Sequence, residues 1–314
     1  MPKVFSWVAL PAWIGALLLP LSAMAHTPGP TQGYQECVEM CYIRECGEVG
    51  YKCPTVTQKK MYRALCAGRC KEQMRRQEFE RTLAPLRLKM QMEEQRANRA
   101  KELLLLKHKI WLEQQQTKER IQKSYEQARR SRDASRRRAT FRKMQLAHEQ
   151  AVLALREKFR MKEQFFQARQ QNRSAEAETA TKQVKFLQSE LERARKERDE
   201  ARASALLQEM QEKRKTIAVS KKKAVEMKVQ LLQAKVQQKD QEQREIEQER
   251  KVTQSERQEA TKENDRDRLR ALARRLGALA GQKAAIAQKQ DADQRELEKA
   301  RTMLSSISQE QGGQ

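Results

Sequence analysis

Apolar residues recur at helical spacing along much of the chain. Between Phe141 and Phe166 they follow steps of 7, 4, 3, 4 and 7 residues, which is the a/d pattern of a coiled coil. The members of this seam are Phe141, His148, Val152, Leu155, Phe159 and Phe166. Two more seams run from Val184 to Ala201 and from Leu206 to Ala234. Their registers do not join without slips, so the pattern predicts a discontinuous coiled coil.

The distribution of helix breakers sets the length of the predicted helical region. The 191 residues from Leu86 to Leu276 contain neither proline nor glycine, and good helix formers dominate them. Pro85 is expected to mark a kink or the start of a helix. Residues 237–268 hold few apolar side chains, and we expect them to form a solvated or frayed helix.

These patterns predict three segments in the second part of the chain. A long, basic coiled-coil rod is predicted over residues 73–276. After Gly277, a short helical segment is expected over residues 277–304, followed by a disordered tail over residues 305–314.

The cysteines form one cluster near the N-terminus. They are Cys37, Cys41, Cys46, Cys53, Cys66 and Cys70. An even number in a short stretch indicates a disulfide framework in an oxidising compartment. Cysteines four residues apart share one helix face, so residues 34–72 are predicted to form a small helical hairpin with bridges Cys37–Cys70, Cys41–Cys66 and Cys46–Cys53. Six cysteines allow about 15 pairings, and this pairing is one hypothesis among them.

The head is similar to the twin CX3C and coiled-coil-helix-coiled-coil-helix hairpins of the mitochondrial intermembrane space. The resemblance covers about 35 residues and departs from those proteins in its longer gap between motifs and its extra cysteine pair. We take it to imply shared hairpin geometry and no family membership. A zinc site is the alternative for these cysteines, and the pattern of an export signal in the first 25 residues argues against it.

The first 25 residues have the features of a secretory signal peptide. Lys3 is followed by an apolar run, Pro20 ends that run, and Ala23 and Ala25 form a cleavage pattern. The apolar run is shorter than the roughly 20 residues of a membrane span. Cleavage would leave residues 26–33 as a flexible leader. The predicted location is therefore extracellular, periplasmic or the lumen of a secretory organelle.

Composition narrows the class of protein. The chain has a net charge of +24, with 34% charged and 5% aromatic residues, and such a chain cannot bury one large globular core. The predicted fold is all-α: a small disulfide-bonded helical hairpin followed by a long, discontinuous coiled-coil rod. With three histidines and no converging pocket expected in a rod, we predict no enzymatic activity, no cofactor and no metal site.

The densest basic patch lies in the rod and predicts a polyanion-binding site. Its residues are Arg129, Arg130, Arg132, Arg136, Arg137, Arg138, Arg142 and Lys143, called the arginine collar below. A positive collar attracts acidic glycans, anionic membrane surfaces or acidic proteins. Nucleic acid is disfavoured because the chain has no aromatic platform for bases. Asn172 begins a glycosylation sequon that is meaningful only in a eukaryotic source.

Two functions remain open from the sequence. The leading one is a secreted structural or scaffolding protein whose rod forms homo-oligomers or associates with other coiled-coil proteins and presents the head. The alternative is a polyanion-binding module that acts through the arginine collar.

Overall fold

The computed structural model describes residues 30–47, 52, 53, 55–131 and 133–312. Within them the protein is all-α, as predicted, with no strand. The helices are α1 (Pro30–Cys46), α2 (Val56–Arg130), α3 (Ala134–Lys196), α4 (Glu200–Lys262) and α5 (Arg266–Gly312). The chain divides into two compact units, and the boundary between Glu78 and Phe79 falls inside α2.

The first unit contains the disulfide-bonded hairpin. Its bridges join Cys37 to Cys70, Cys41 to Cys66 and Cys46 to Cys53, so the pairing expected from the cysteine spacing is confirmed. The Tyr34 hydroxyl donates to the carbonyl of Ala67 at 3.4 Å. An ion pair of 3.2 Å joins Arg69 to Glu45 across the hairpin. The bridges therefore hold α1 against the first turns of α2.

The second unit is an up-down-up-down four-helix bundle. Phe79 at its start stacks on Phe186 near the end of α3, with ring centroids 4.1 Å apart. Tyr125 near the end of α2 meets Phe141 near the start of α3, which makes α2 and α3 antiparallel. Similar contacts make α3 antiparallel to α4, and α4 antiparallel to α5. The rod therefore folds back on itself three times.

The apolar seams of the sequence form the interior of this bundle. Leu155 and Phe159 of the first seam pack against Ala234 of the third. Leu187 and Leu191 of the second seam pack against Met210. Each seam is thus buried against helices of the same chain.

Three tight corners connect the bundle helices, and each ends in an aspartate N-cap. The side chains of Asp133, Asp199 and Asp265 accept hydrogen bonds from the backbone N–H of the residue three positions later. Just before the cap, Arg198 and Asn264 adopt the left-handed conformation, with φ of 57° and 59°. The backbone N–H of each aspartate that follows them bonds back into the preceding helix.

The corners repeat at an interval of 66 residues in the sequence. Ala128, Ala194 and Ala260 each stand five residues before a capping aspartate and are 0% exposed. A fully buried alanine allows close approach of the neighbouring helices. We call the shared pattern, Ala-x4-Asp-x2-Arg, the corner motif.

The ion pairs around the second and third corners repeat as well. Arg202 pairs with Glu190 at 2.8 Å and with Glu197 at 3.3 Å. Arg268, 66 residues later, pairs with Glu256 and Glu263. Serines occupy the corresponding positions of the first corner. The second and third corners therefore share an arrangement of ion pairs that the first corner lacks.

Several predicted segment boundaries are wrong. Gly277 and Gly281 lie inside α5, where a Cβ would meet nothing within 4 Å. Glycine weakens a helix by about 1 kcal/mol relative to alanine, and burial of Leu272 and Leu279 outweighs this cost. Residues 277–304 are therefore not a separate helix.

The ends of the described chain are also more helical than expected. The tail predicted to be disordered over residues 305–314 is helical to Gly312, and the hydroxyls of Ser305, Ser306 and Ser308 bond to carbonyls of the preceding turn. Pro30 begins α1, at a position where proline is well tolerated. The flexible leader predicted over residues 26–33 is thus helical from Pro30, and its earlier residues lie outside the described ones.

The prediction of a solvated or frayed helix over residues 237–268 is also wrong. Within α4, Glu242, Glu249 and Glu256 are buried although they are charged. Each pairs with an arginine of another bundle helix. Polar residues occupy the interior here because their charges are paired.

Candidate functional site

The structure divides the arginine collar between exposed and paired residues. Arg137 is buried, with 4% of its surface exposed. The other described members are all exposed: Arg129, Arg130, Arg136, Arg138, Arg142 and Lys143. Arg132 lies outside the described residues. The collar surrounds the first corner, between α2 and α3.

Arg137 is the centre of a buried ion-pair network at this end of the bundle. It faces three carboxylates of α4 and the third corner, those of Glu256, Glu259 and Glu263. The Tyr125 hydroxyl of α2 donates to Glu256 at 2.6 Å. Side chains from α2, α3 and α4 therefore meet in one polar cluster, and Arg137 acts as a core residue.

Two exposed members of the collar are also paired. Arg138 contacts Glu263 at 2.9 Å and Asp265 at 3.7 Å, and Arg129 lies 3.8 Å from Glu259. The hydrogen bond from Arg138 is the main cause that lowers the pKa of Glu263. Among the described residues, only Arg130, Arg136, Arg142 and Lys143 of the collar have no acidic partner. The positive field of the predicted site is correspondingly reduced.

A second polar layer lies deeper in the bundle. Lys118 of α2 contacts the Glu245 carboxylate at 2.7 and 2.9 Å, and His148 Nδ1 lies 3.5 Å from the same group. Burial alone would raise the pKa of Glu245, but interactions with His148 and Lys118 outweigh burial and lower the pKa from 4.5 to about 2. The layer is therefore a charged Lys–Glu pair inside the bundle.

These buried charges indicate a structural role. A buried polar pair can specify the register of packed helices, because a shifted alignment leaves a charge unpaired. A further pair, Arg275 with Glu249 at 2.5 Å, joins α5 to α4. The polar pairs thus join α2, α3 and α5 to α4.

The histidines and cysteines do not form a metal-binding cluster in the described part of the chain. There, no group of three His, Cys, Asp or Glu side chains is arranged to hold a metal ion. All six cysteines are in disulfides, which leaves no thiolate for the zinc alternative. His148 is buried beside Glu245, as already described, and His26 lies outside the described residues.

The sequon at Asn172 is not accessible in the folded bundle. Asn172 is 8% exposed, and its side-chain amide donates to the carbonyl of Met90 at 3.3 Å. A glycan on this nitrogen would require α2 and α3 to separate.

Sequence reasoning missed the corner motif and the charge pairs. The signal for the first was present: comparison of the sequence with itself at an offset of 66 residues aligns the three alanines, aspartates and arginines. No such signal exists for the pairing of Arg137 with Glu256, because 119 residues separate them.

In the described residues, no helix is long and apolar enough to cross a bilayer. Comparison with models of protein families, with curated proteins and with solved structures found no match to this chain.

Proposed function

We propose that the chain is an exported, non-enzymatic structural protein in which a disulfide-bonded hairpin acts as a recognition or anchoring head and a four-helix bundle acts as a rigid supporting element. The features that support export are the N-terminal apolar run with its cleavage pattern and the three disulfides, which are typical of an oxidising compartment.

The proposed supporting role of the bundle rests on one observation. Carboxylates that are buried or largely buried have basic partners at several levels along it: Glu245 pairs with Lys118, Glu249 with Arg275 and Glu256 with Arg268. Buried pairs add little net stability but penalise alternative alignments strongly. A bundle with a single alignment suits a mechanical element better than a surface that must adapt to ligands. Helices of 63 residues, such as α3, are about 95 Å long.

The expected mode of association differs from the one that the sequence alone predicts. The seams assigned to contacts between chains are occupied within one chain, so the proposed supporting element is a single folded chain. The arginine collar is not proposed as the main ligand surface, because Arg129, Arg137 and Arg138 are held by carboxylates of the bundle.

The test determines the compartment and the rigidity of the full-length protein purified from its natural source. Protein purified from the exported fraction should begin at His26 and contain no free thiol, as measured by intact mass before and after alkylation. Hydrogen exchange of the same sample should show slow exchange along α3 and α4. A reduced protein retained inside the cell with Met1 intact, or rapid exchange throughout both helices, would contradict the proposal.

A further inference from the structure

A groove opens between α3, α4 and α5 in a part of the bundle away from the arginine collar. Its volume is about 580 Å³, and small or apolar side chains make up much of its lining, among them Ala177, Ala224, Val225, Met303 and Ile307. Grooves of roughly 300–1,000 Å³ with an apolar lining and a few polar groups are typical of small-molecule sites.

The groove has a direct cause in the sequence of α3. Residues 167–183 contain no apolar side chain larger than alanine. The facing part of α5 carries Met303 and Ile307, one helical turn apart, and 55% of Met303 remains exposed. Large apolar side chains on α5 and small ones on α3 thus line the same groove, which is open at the surface of the bundle.

Two lysines of α4 border this apolar lining. Lys221 and Lys228 both line the groove and stand two helical turns apart, roughly 10 Å along the axis. Neither forms an ion pair with an acidic side chain among the described residues. The acidic residue of the lining, Glu178, already lies 3.6 Å from Lys182.

The surrounding segment adds to this positive field. Between Lys213 and Lys228, α4 carries seven basic residues and one acidic residue. None of the seven is within 4.0 Å of a carboxylate among the residues that the structure describes. In contrast to the collar, this cluster makes no direct ion pair with the described part of the bundle, although Lys223 interacts with Glu176 of α3 at longer range.

We propose that this groove binds a single-chain anionic amphiphile, with its acyl chain against the α3–α4–α5 lining and its carboxylate or phosphate between Lys221 and Lys228. An apolar lining with cationic residues beside it complements a ligand that has a hydrocarbon chain and an anionic head. This site is independent of the supporting role of the bundle, and either can fail without the other.

The test measures binding of laurate to the full-length protein by isothermal titration calorimetry, with laurate kept below its critical micelle concentration. Laurate should bind with one site per chain, whereas acetate, which has the head alone, and dodecanol, which has the chain alone, should each bind at least tenfold more weakly. Equal binding of acetate would mean a simple anion site and would overturn the proposal, as would equal binding of dodecanol.

Matched variants locate the site. Lys221→Gln with Lys228→Gln should weaken laurate binding at least tenfold. The control, Lys213→Gln with Lys215→Gln, removes the same charge from the same helix outside the groove and should change affinity less than twofold. An equal loss of laurate affinity in both double variants would show that binding depends only on the positive charge of α4, and the groove proposal would be wrong.

A filling variant tests the apolar part separately. Ala177→Leu should abolish laurate binding by occupying the groove that Ala177 lines, while circular dichroism should show that the variant stays folded, because its added methyl groups extend into open space. Retained binding in a folded Ala177→Leu protein would contradict the proposed position of the acyl chain.

Discussion

At the scale of single residues, two corners contain a residue with a Cβ in the left-handed backbone conformation, which favours glycine. Arg198 adopts a left-handed conformation with φ of 57°, a region that costs a residue with a Cβ roughly 1–2 kcal/mol. Asn264 occupies the equivalent position of the next corner, and asparagine tolerates this conformation better. The second corner therefore holds avoidable strain.

Replacing this arginine by glycine should stabilise the bundle. Arg198→Gly is expected to increase the free energy of unfolding by about 0.5–1 kcal/mol, because glycine adopts positive φ without a steric penalty. The measurement is urea unfolding followed by circular dichroism. The control Arg195→Gly lies within α3 and should lower stability by about 1 kcal/mol. Destabilisation by both changes would show that the corner conformation is misassigned.

The largely buried Glu245 should make part of the stability depend on pH. Its folded pKa of about 2 lies below the ordinary value of 4.5, so its contribution is complete above about pH 4.5 and is lost as the pH falls towards 2. Glu245→Gln should therefore lower stability by on the order of 2 kcal/mol at pH 6. The difference from the unmodified protein should shrink as the pH falls through this range.

An exposed glutamate provides the comparison for this pH dependence. Glu212→Gln removes a carboxylate on α4 that is exposed and has no ion pair among the described residues. Its stability should follow that of the unmodified protein at every pH. A constant gap between Glu245→Gln and the unmodified protein from pH 6 to pH 2 would show that the Lys118–Glu245 pair is not formed.

At the scale of helices, the start of α3 is held by charge as much as by apolar packing. Arg137 and Arg136 are neighbours, yet Arg137 is 4% exposed and faces three carboxylates, while Arg136 is exposed. Arg137→Met should therefore lower the free energy of unfolding by about 3–5 kcal/mol, since it leaves Glu256 and its neighbours with less compensation. Arg136→Met should change stability by less than about 0.5 kcal/mol, as measured by chemical unfolding. Similar effects from both would mean that the collar does not contact the third corner.

Some features of the helices could be predicted from the sequence. Helical periodicity and the absence of breakers were sufficient to predict the all-α class and the seam through Leu155 and Phe159. Cysteine spacing was sufficient for the hairpin, because residues four apart on a helix must share a face. Both are local properties, and local spacing determines them.

The positions of the corners could not be derived in the same way. Glycine and proline were expected to mark the breaks, yet Gly277 lies inside a helix and the breaks fall at aspartate caps. A single Asp-x2-Arg is common in any charged sequence, so the motif carries information only through its repetition. The division of the collar depends on Arg137 meeting Glu256 and Glu263, and this long-range pairing is fixed only by the fold.

At the scale of the whole molecule, the main distinction is between an extended rod and a folded bundle. Spin labels placed at exposed Arg160 and Gln237 would lie on facing parts of α3 and α4, since Lys162 contacts Gln237 at 3.4 Å. Dipolar spectroscopy should give distances below about 25 Å in the bundle, whereas an unbroken helix would separate these positions by about 115 Å. Labels at Arg160 and Gln145, within α3, should give about 23 Å in both cases. A distance beyond the range of the method for the first pair would contradict the fold.

The two units should respond differently to reduction. All cysteines lie in the first unit, within residues 37–70, and a hairpin of this size depends on its bridges. Reduction should therefore abolish slow exchange in α1 while most of the helical circular dichroism remains. Alkylation of the natural protein without reduction is the control and should change neither signal. Loss of most helicity on reduction would mean that the bundle depends on the hairpin for its stability.

The equal spacing of the corners constrains how the length of this protein can change during evolution. A single inserted residue inside α3 would rotate everything beyond it by about 100° and shift it by 1.5 Å, which would misalign the buried pairs with α2 and α4. A helix can lengthen only if its neighbours lengthen by the same amount. An interval of 66 residues equals six 11-residue repeats, each of which completes about three turns. Insertions and deletions in descendants of this gene should therefore occur as coordinated changes in several helices or be confined to the corners, while substitutions accumulate freely on the exposed faces.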